Sequence, residues 1–463
     1  LDPIAHSTRI RNKLQRRESK WRDGRVKILG CNIRMAGRVQ LQTVGPQDRS
    51  FTDDPEYTYF IKNFKKHGNY ARFYDDLDFT GRAEFGEEIR CVIPQNQGDL
   101  LKGLSVKLTL GAIDQNLSSY DVTYCESIAQ AMIEYAELYI GGTLVQRIPS
   151  DMLAIYSEIS VTQSKQSALR KLIGKPDQVF PVYTDLYTGI RDDRVQSSKE
   201  ETSYRVDLPF YFHEHPELAI PLHAITKQEV EIAIRFRKAE DCIFSVDSSN
   251  PIGNDASTYY LGQNPTGLIK SAHLSTEMVT LHDKTFPKRV DYLITQTQTN
   301  TFELNHADAK VDTLNQCNVH EVKLNIINPV KELFFVIQDR FDNDPGTVND
   351  FVTPYQYCAN QFIDTHGLFT SSEHVKHIEL EFDGETILDE VTGNIIHLRA
   401  IQPAKHHSRT TVYRRFYMYS FALEPESIQP SGQLNFSYVK NQIARVGLFN
   451  YPVNTDKQKQ LRV

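Results

Sequence analysis

The residues best suited to bind a metal ion are two histidines separated by one residue, His213 and His215. Alternate side chains of an extended strand point the same way, so both imidazoles could reach one ion. Metal-binding jelly rolls of the cupin type also need a glutamate a few residues further on, whereas Glu217 follows too early. The spacing therefore favours an exposed turn, and a metal-dependent cupin-type enzyme is a minor alternative.

Two other segments resemble ligand sites, but each lacks something that such a site needs. His406 and His407 are adjacent, so they point to opposite faces of an extended chain. Residues 342–346 (DNDPG) resemble the start of a calcium loop, but Thr353 stands where the loop needs a glutamate. The motifs GxxxxGK[ST], HExxH and GxSxG are absent from the sequence. We therefore predict no catalytic residue, no cofactor-binding residue and no metal ligand, which means that the chain is not an enzyme.

The composition places the chain among ordinary soluble proteins. Of the 463 residues, 40% are hydrophobic and 24% are charged, and the net charge of −7 argues against specific nucleic-acid binding. No run of apolar residues is long enough to span a bilayer. The six cysteines form no CxxC pair, so we interpret them as free thiols of a reducing compartment. They are Cys31, Cys91, Cys125, Cys242, Cys317 and Cys358.

The first 34 residues differ from the rest in charge. They contain ten Lys or Arg and three Asp or Glu, a net charge of +7. We expect residues 1–34 to be a basic extension that is disordered or precedes the native start, for which Met35 is the candidate. The alternative is a basic arm that contacts nucleic acid or an anionic membrane surface.

The sequence carries the same pattern twice, F-x-x-x-P-x-x-x-x-P, and the second copy begins 209 residues after the first. Its residues are Phe212, Pro216 and Pro221 in the first copy and Phe421, Pro425 and Pro430 in the second. Two further pairs follow the same order: 57–63 resembles 291–297, and 137–144 resembles 379–387. The pairs predict one domain built twice in tandem, over residues 35–286 and 287–463.

Short segments with alternating apolar residues, separated by Gly, Pro, Asn and Asp, predict strands of sandwiches or jelly rolls. Two helices interrupt this pattern in the first copy. One is predicted to start at Ser150 as N-cap, and the other ends at Gly174. The first copy has 33 additional residues in this region, and we expect long surface loops over 183–204 and 245–267.

Several segments resemble one family, the major capsid proteins of nucleocytoplasmic large DNA viruses. Residues 420–437 (SFALEPESIQPSGQLNFS) resemble the specific C-terminal signature of that family. Weaker similarities are found at 47–60, which resembles the opening strand, and at 65–71, 208–224 and 330–336. The departures from the family pattern are modest, and they are Tyr211, Ile220 and the pair Ile225-Thr226.

The resemblance implies an all-β fold of two tandem eight-stranded antiparallel jelly rolls, with short helices inserted in the first domain. It implies a structural protein whose homotrimers form pseudo-hexagonal capsomers that tile an icosahedral shell. Expected partners are neighbouring capsomers, minor capsid proteins, a penton protein and an inner membrane reached through the base or the N-terminal arm. The expected location is the virion, with assembly in the host cytoplasm. The alternative function is a jelly-roll protein for carbohydrate binding or host attachment.

The residues of the repeated pattern and the signature are the predicted structural site. Prolines lack an amide donor and suit strand ends and turns, and glycine permits the positive φ of a sharp turn. Phe421 and Phe436 are predicted to be core anchors. The complete set is Phe212, Pro216, Pro221, Phe421, Pro425, Gln429, Pro430, Ser431, Gly432, Asn435 and Phe436.

Overall fold

The structure is a computed structural model. It describes residues 41–56, 58–60, 64, 66–113, 121–125, 127–175, 182–183, 190–191, 200–246, 267–282, 290–304, 309–312, 317–339, 360–363, 369–372, 375–410, 416–449 and 459–463. Helix α1, Pro46–Thr52, belongs to a compact unit over Leu1–His67, and everything described below belongs to the second unit, Gly68–Val463.

The first half of the second unit contains thirteen strands and three short α-helices among the described residues. The strands are β1 Tyr70–Asp78, β2 Glu88–Ile93, β3 Leu100–Leu110, β4 Asp121–Tyr124, β5 Ile133–Ile140, β6 Thr143–Pro149, β7 Val182–Tyr183, β8 Ile190–Arg191, β9 Thr202–Asp207, β10 Ile220–Pro221, β11 Val230–Phe236, β12 Ile243–Val246 and β13 Ile269–Leu281. The helices are α2 Ile128–Ala131, α3 Ser150–Ile159 and α4 Gln166–Ile173.

The second half again contains thirteen described strands. They are β14 Thr301–Leu304, β15 Lys310–Asp312, β16 Cys317–Lys323, β17 Pro329–Val330, β18 Glu332–Asp339, β19 Asn360–Ile363, β20 Phe369–Ser372, β21 Val375–Phe382, β22 Glu385–Leu388, β23 Phe416–Ser420, β24 Leu434–Asn435, β25 Gln442–Phe449 and β26 Lys459–Arg462. A π-helical turn, His397–Ile401, runs into helix α5, Gln402–His406.

The two halves have the same sheet topology. In the first half, one sheet has the order β1-β13-β3-β10, with β9 also pairing with β3, and the other has the order β2-β11-β5-β6. In the second half, the orders are β14-β26-β18-β23 and β16-β25-β21-β22, with β15 added beside β16. When only the eight strands of these orders are counted, without β9 and β15, strands at the same place in chain order occupy matching positions in the sheets. All the pairings are antiparallel. The predicted double jelly roll is confirmed, and we refer to the halves as roll 1 and roll 2.

Alternation of side chains explains why each roll has its own core. In β11 and β21, the buried positions recur with a period close to two, as expected for strands that cover a core with one face. The buried residues form one large apolar cluster in roll 1 and another in roll 2. Two sheets facing each other across a shared core make each roll a sandwich.

Two of the three repeated pairs fall on equivalent elements. Glu137 and Glu379 lie on β5 and β21, and both strands end in a tight turn that contains a glycine with positive φ. Phe212 and Phe421 follow β9 and β23, which pair with the matching strands β3 and β18. Of the third pair, 57–63 and 291–297, the structure describes residues 58–60 and 291–297, and these lie outside the described strands.

The expectation of an opening strand within 47–60 is wrong, because helix α1 occupies Pro46–Thr52. Pro46 starts the helix, where its missing N–H costs nothing, and the Gly45 N–H donates to Asp48 Oδ2 at 2.8 Å. The first strand of roll 1 is β1, which begins at Tyr70.

The helices differ from the prediction in two details. Helix α3 begins at Ser150, but the N-cap is Pro149, and no side chain caps the helix. The chain is still extended at Pro149 when it leaves β6, so Ser150 falls within the first turn and is buried. Helix α4 ends at Gly174 with φ 75°, as predicted. Helices are not confined to the first domain, because α5 occupies the matching connection of roll 2.

Several predictions fall outside the described residues. These are the basic segment 1–34, the boundary near 286, the segment 342–346 and most of the loops 183–204 and 245–267. In the described part of the chain, no helix has the length and apolarity needed to cross a membrane.

Candidate structural site: the signature turn and the seam between the rolls

The signature segment folds back from β23 onto the core of roll 2. Phe436 is fully buried, and its ring packs edge-on against Phe382 and Phe421, with ring centroids 5.1 and 5.8 Å apart respectively. Phe421 is partly buried and also packs edge-on against Tyr419. The two signature phenylalanines therefore meet in one aromatic cluster, where edge-to-face packing adds to the free energy of apolar burial.

Backbone geometry explains the signature glycine. Gly432 has φ 148°, and a Cβ at this position would lie 2.7 Å from the carbonyl oxygen of Phe421. Beside it, Ser431 Oγ accepts a hydrogen bond from the Glu424 N–H at 2.8 Å. Asn435 Oδ1 accepts from the Ser437 N–H at 3.1 Å. These contacts close the loop between β23 and β24 with local hydrogen bonds, as small polar residues do in turns.

The remaining signature residues lie at the surface of this loop. Pro425 is partly buried in a turn, and Pro430 is exposed. The Gln429 side chain is exposed, and its backbone N–H donates to Ser427 Oγ at 3.3 Å. Nothing brings these three residues to a common ligand.

A buried glutamine that the sequence analysis did not single out holds the end of the signature. Gln442 Nε2 donates to the carbonyl oxygens of Ile326 and Phe436 at 2.9 and 3.2 Å, and Gln442 Oε1 accepts from the Ile326 N–H at 2.9 Å. A side-chain amide that satisfies buried backbone groups on two segments fixes their separation.

The first copy of the pattern is built differently. Phe212 is fully buried and contacts Phe210 and Tyr211, with centroid separations of 6.0 and 5.1 Å. Pro216 starts a 3₁₀ turn, and Pro221 lies on the edge strand β10 opposite Leu100. Both prolines therefore occupy positions at which no ladder donor is required.

The two histidines of the candidate metal pair lie outside regular strands, as expected, but the expectation of exposure is wrong, because both are partly buried. The His213 side chain packs edge-on against Tyr156 with ring centroids 6.0 Å apart, and Tyr156 Oη donates to Glu214 at 2.8 Å. Burial lowers the pKa of His213. The ring therefore lies beside α3, which carries Tyr156. Across the described residues, no three His, Cys, Asp or Glu side chains are arranged to hold a metal ion.

Helix α3 lies between the two rolls. Leu153 belongs to the core of roll 1, whereas Ile155 and Ile159 pack against Val336 and Phe416 of roll 2. One short helix thus presents apolar side chains to both domains. We call this contact, together with the ion pairs described next, the seam.

Buried and partly buried charges lie beside this apolar contact. Glu158 at the end of α3 pairs with Lys175 of roll 1 and with Arg409 of roll 2, whose Nη1 lies 3.0 Å from Glu158 Oε2. The same Nη1 donates to the Glu158 carbonyl oxygen at 2.9 Å. A second pair joins Asp151 to Arg462, whose Nη2 donates to Oδ1 at 2.8 Å. Buried charges are tolerated only when they are paired and hydrogen-bonded, so these residues fix how α3 sits against roll 2.

A buried histidine ties together three segments of roll 2. His407, just after α5, contacts Glu332 at the start of β18 through Nε2 at 2.8 Å, and Glu426 of the signature loop through Nδ1 at 2.9 Å. Burial disfavours its charged form, but the two carboxylates outweigh burial and raise the pKa of His407 to about 9. Burial also opposes ionisation of Glu426, but hydrogen bonds from His407 and Ser408 lower the pKa of Glu426.

Comparison with known families covers most of the chain. Residues 58–267 match the family profile described as the major capsid protein N-terminus, and residues 283–455 match the profile of the large eukaryotic DNA virus major capsid protein. This chain belongs to the major capsid protein family of large eukaryotic DNA viruses.

Individual relatives agree with that assignment. The major capsid protein of Phaeocystis pouchetii virus is 25% identical, over 92% of this chain and 95% of the relative. That of Paramecium bursaria Chlorella virus 1 is 23% identical, over 88% and 86%. Among solved structures, PBCV-1 VP54 is similar with a TM-score of 0.62 and 19% identity, over 88% of this chain and 95% of VP54. Faustovirus major capsid protein has the same TM-score at 14% identity, over 92% and 95%. The structural matches establish the shared fold.

Sequence reasoning found the signature of this capsid protein but missed its seam. Glu158, Lys175, Arg409, Asp151 and Arg462 belong to no motif, and Glu158 and Arg409 lie 251 residues apart in the chain. A charged residue near the end of a predicted amphipathic helix gives no indication of burial. The sequence gives no indication of the role of His407, because its carboxylate partners are 75 and 19 residues away in the chain.

Proposed function

We propose that this major capsid protein is the shell-forming subunit of a large icosahedral DNA virus, and that three copies associate into a pseudo-hexagonal capsomer. Its role is structural rather than enzymatic. The observation that carries the proposal is the matching strand order of rolls 1 and 2.

The geometric reasoning rests on symmetry. A trimer of a chain with one domain has three similar corners, whereas a trimer of a chain with two similar domains has six. A unit with six similar corners packs in a hexagonal lattice although its subunits obey only threefold symmetry. The repeat thus gives a capsomer a near-hexagonal outline without six identical subunits.

The seam supports this role because the outline depends on a fixed arrangement of the two rolls. Ile155 and Ile159 bury apolar area against roll 2, and the pairing of Glu158 with Arg409 adds directional contacts. The seam resists rotation of roll 1 against roll 2, whereas a linker alone would allow it.

Exposed apolar side chains of roll 2 supply area for subunit contacts. Leu423, Val391 and Tyr438 are 73%, 74% and 82% exposed in the single chain. Residues of this kind, when they cluster on a surface, mark sites that a partner covers. We propose that an obligate interface between neighbouring subunits buries more than about 2,000 Å² and includes some of them.

The wider setting follows from the same proposal. Capsomers contact neighbouring capsomers, minor capsid proteins and a penton protein, and the base or the N-terminal arm approaches an inner membrane. No specific nucleic acid is bound. The protein resides in the virion, and assembly takes place in the host cytoplasm.

Light scattering of the purified full chain, coupled to size exclusion, tests the proposal. We expect a single species of three chain masses at micromolar concentration and a six-cornered outline in class-averaged electron micrographs. A folded monomer over the whole concentration range would contradict the proposal. The variant Leu423→Asp should weaken the trimer if this surface is in the interface, and the change Arg82→Ala at an exposed position is the matched control.

A further inference from the structure

A two-stranded ribbon outside the two main sheets of roll 1 brings two cysteines together. Strands β4 and β12 pair antiparallel, and Tyr124 lies opposite Ile243. Cys125 follows Tyr124, and Cys242 precedes Ile243, so the next pair in the same register is Cys125 opposite Cys242. The Cys125 N–H donates to the Cys242 carbonyl oxygen at 2.9 Å, which continues the ladder to this pair.

This placement meets the geometric demands of a disulfide. Directly opposite residues of an antiparallel pair have Cα atoms about 4.5–5.5 Å apart and side chains on the same face. Disulfides span Cα separations of about 4.4–6.8 Å. The Cys125 thiol is also the largest influence that raises the pKa of Cys242, as expected for neighbouring sulfurs.

The environment of the two cysteines disfavours their reactive thiolate form. Both side chains are fully buried in the core of roll 1 and are thiols in this structure. The neighbouring thiol of Cys125, and then burial, raises the pKa of Cys242. The thiolate is the reactive form, and burial disfavours it. Attack of either cysteine on a small disulfide therefore requires local opening of the ribbon. A ribbon of two short strands opens more easily than the centre of a main sheet.

We propose that Cys125 and Cys242 form a redox pair that closes to a disulfide on exchange with a small-molecule disulfide. In the first step, one cysteine loses its proton to solvent, and its thiolate attacks the small disulfide to give a mixed disulfide and one small thiol. The second cysteine thiolate then attacks the protein sulfur of the mixed disulfide and releases the second small thiol. Two protein thiols are oxidised, and one small disulfide is reduced to two thiols.

The bond would stabilise the part of roll 1 that carries the seam. It would close the chain between residues 125 and 242, which includes β5, β6, α3 and β11. Cross-linking a loop of this length restricts the unfolded chain strongly. A switch of this kind suits a subunit that folds in a reducing cell and persists outside it, a use that rests on the proposed function.

The test uses the full chain and oxidised glutathione as the small disulfide. One sample is oxidised in the native state at pH 8.5, and another is unfolded in reductant and refolded in oxidised glutathione, so that access does not limit the outcome. After alkylation, peptides are analysed by mass spectrometry. We expect one linked peptide pair joining residues 125 and 242, and an alkylated Cys91, which lies on β2 in the core of roll 1 and outside the ribbon.

Thermal unfolding gives an independent readout. Oxidation should raise the melting temperature by about 5 °C or more in the wild type and in Cys91→Ser. It should leave the melting temperature of Cys125→Ser and Cys242→Ser unchanged. Free or glutathione-capped Cys125 and Cys242 in both oxidised samples would overturn the proposal even if the variants fail to fold. Light scattering of the same samples reports trimer formation, so failure of the disulfide is distinguishable from failure of the capsomer proposal.

Discussion

Rolls 1 and 2 share their strand order but close their cores with different devices. In roll 1, Phe212 is fully buried between β9 and β10, and the following connection adds no positive-φ glycine to the pattern. In roll 2, Phe436 fills the core, Gly432 shapes the loop, and Gln442 and His407 hold it with hydrogen bonds. Alternating apolar residues are sufficient to specify a sandwich, whereas the connections between strands are free to diverge.

The connection that follows β6 in roll 1 and β22 in roll 2 shows the largest divergence. It spans β6 to β9 in roll 1 and carries α3 and α4, whereas it spans β22 to β23 in roll 2 and carries α5. The longer version buries residues against the neighbouring roll. An insertion in one copy of a duplicated domain has thus become the contact that joins the copies.

Replacing the aromatic core residues tests whether the two rolls depend equally on their anchors. Phe212→Ala and Phe436→Ala should each lower the free energy of unfolding by about 4 kcal/mol, because both side chains are fully buried. Urea denaturation measures the loss, and Phe51→Ala at an exposed position is the control. Losses under about 1 kcal/mol would show that these rings are not anchors.

Breaking the seam tests whether the rolls unfold as one. Glu158→Gln leaves Lys175 and Arg409 buried without their carboxylate, and we expect a loss of about 3 kcal/mol. Arg82→Ala at the exposed Arg82–Glu84 pair should cost under about 0.5 kcal/mol. Calorimetry should show the rolls separating into two transitions in Glu158→Gln. One unchanged transition would mean that the ion pair does not couple them.

The pH dependence of stability distinguishes roll 2, which holds His407. The folded pKa of His407 is about 9, above the ordinary value of 6.5, so its contribution is complete below pH 6.5 and is lost as pH rises through 9. The loss between these values is on the order of 2–3 kcal/mol. The pKa of Glu426 is lowered, so its contribution is present above pH 4.5 and falls in acid.

Urea midpoints measured from pH 4 to 10 check this expectation. His407→Gln should flatten the alkaline decline, whereas His406→Gln should preserve it, because His406 contacts only a carbonyl oxygen among its described hydrogen-bond partners. A wild-type profile that is level from pH 6.5 to 9 would contradict the assigned pairing.

A comparison of two glycines sharpens the role of the signature turn. Gly432→Ala should cost about 2 kcal/mol, because its Cβ would lie 2.7 Å from the Phe421 carbonyl oxygen. Gly142→Ala, at φ 75° in the turn after β5 with open space around it, should cost about 1 kcal/mol. Thermal unfolding of both variants measures the difference, and equal costs would show that the close approach at Gly432 relaxes freely.

The sequence alone determined the all-β class, the duplication and the family. Strands such as β11 and β21 were predictable because a period of two is a local property of the chain, and Gly174 was predictable because a helix end needs a left-handed residue. The signature was recognisable because its prolines, glycine and phenylalanines lie within 18 residues.

Only the tertiary structure decided which charged residues are buried and with whom they pair. Arg409 reaches Glu158 across 251 residues, and His407 reaches Glu332 across 75. Sequence patterns report the environment of a residue relative to its own element, whereas these pairs depend on how α3 and α5 pack against the other elements. For the same reason, Cys125 and Cys242 form no pair in the sequence, and the register of β4 on β12 makes them neighbours.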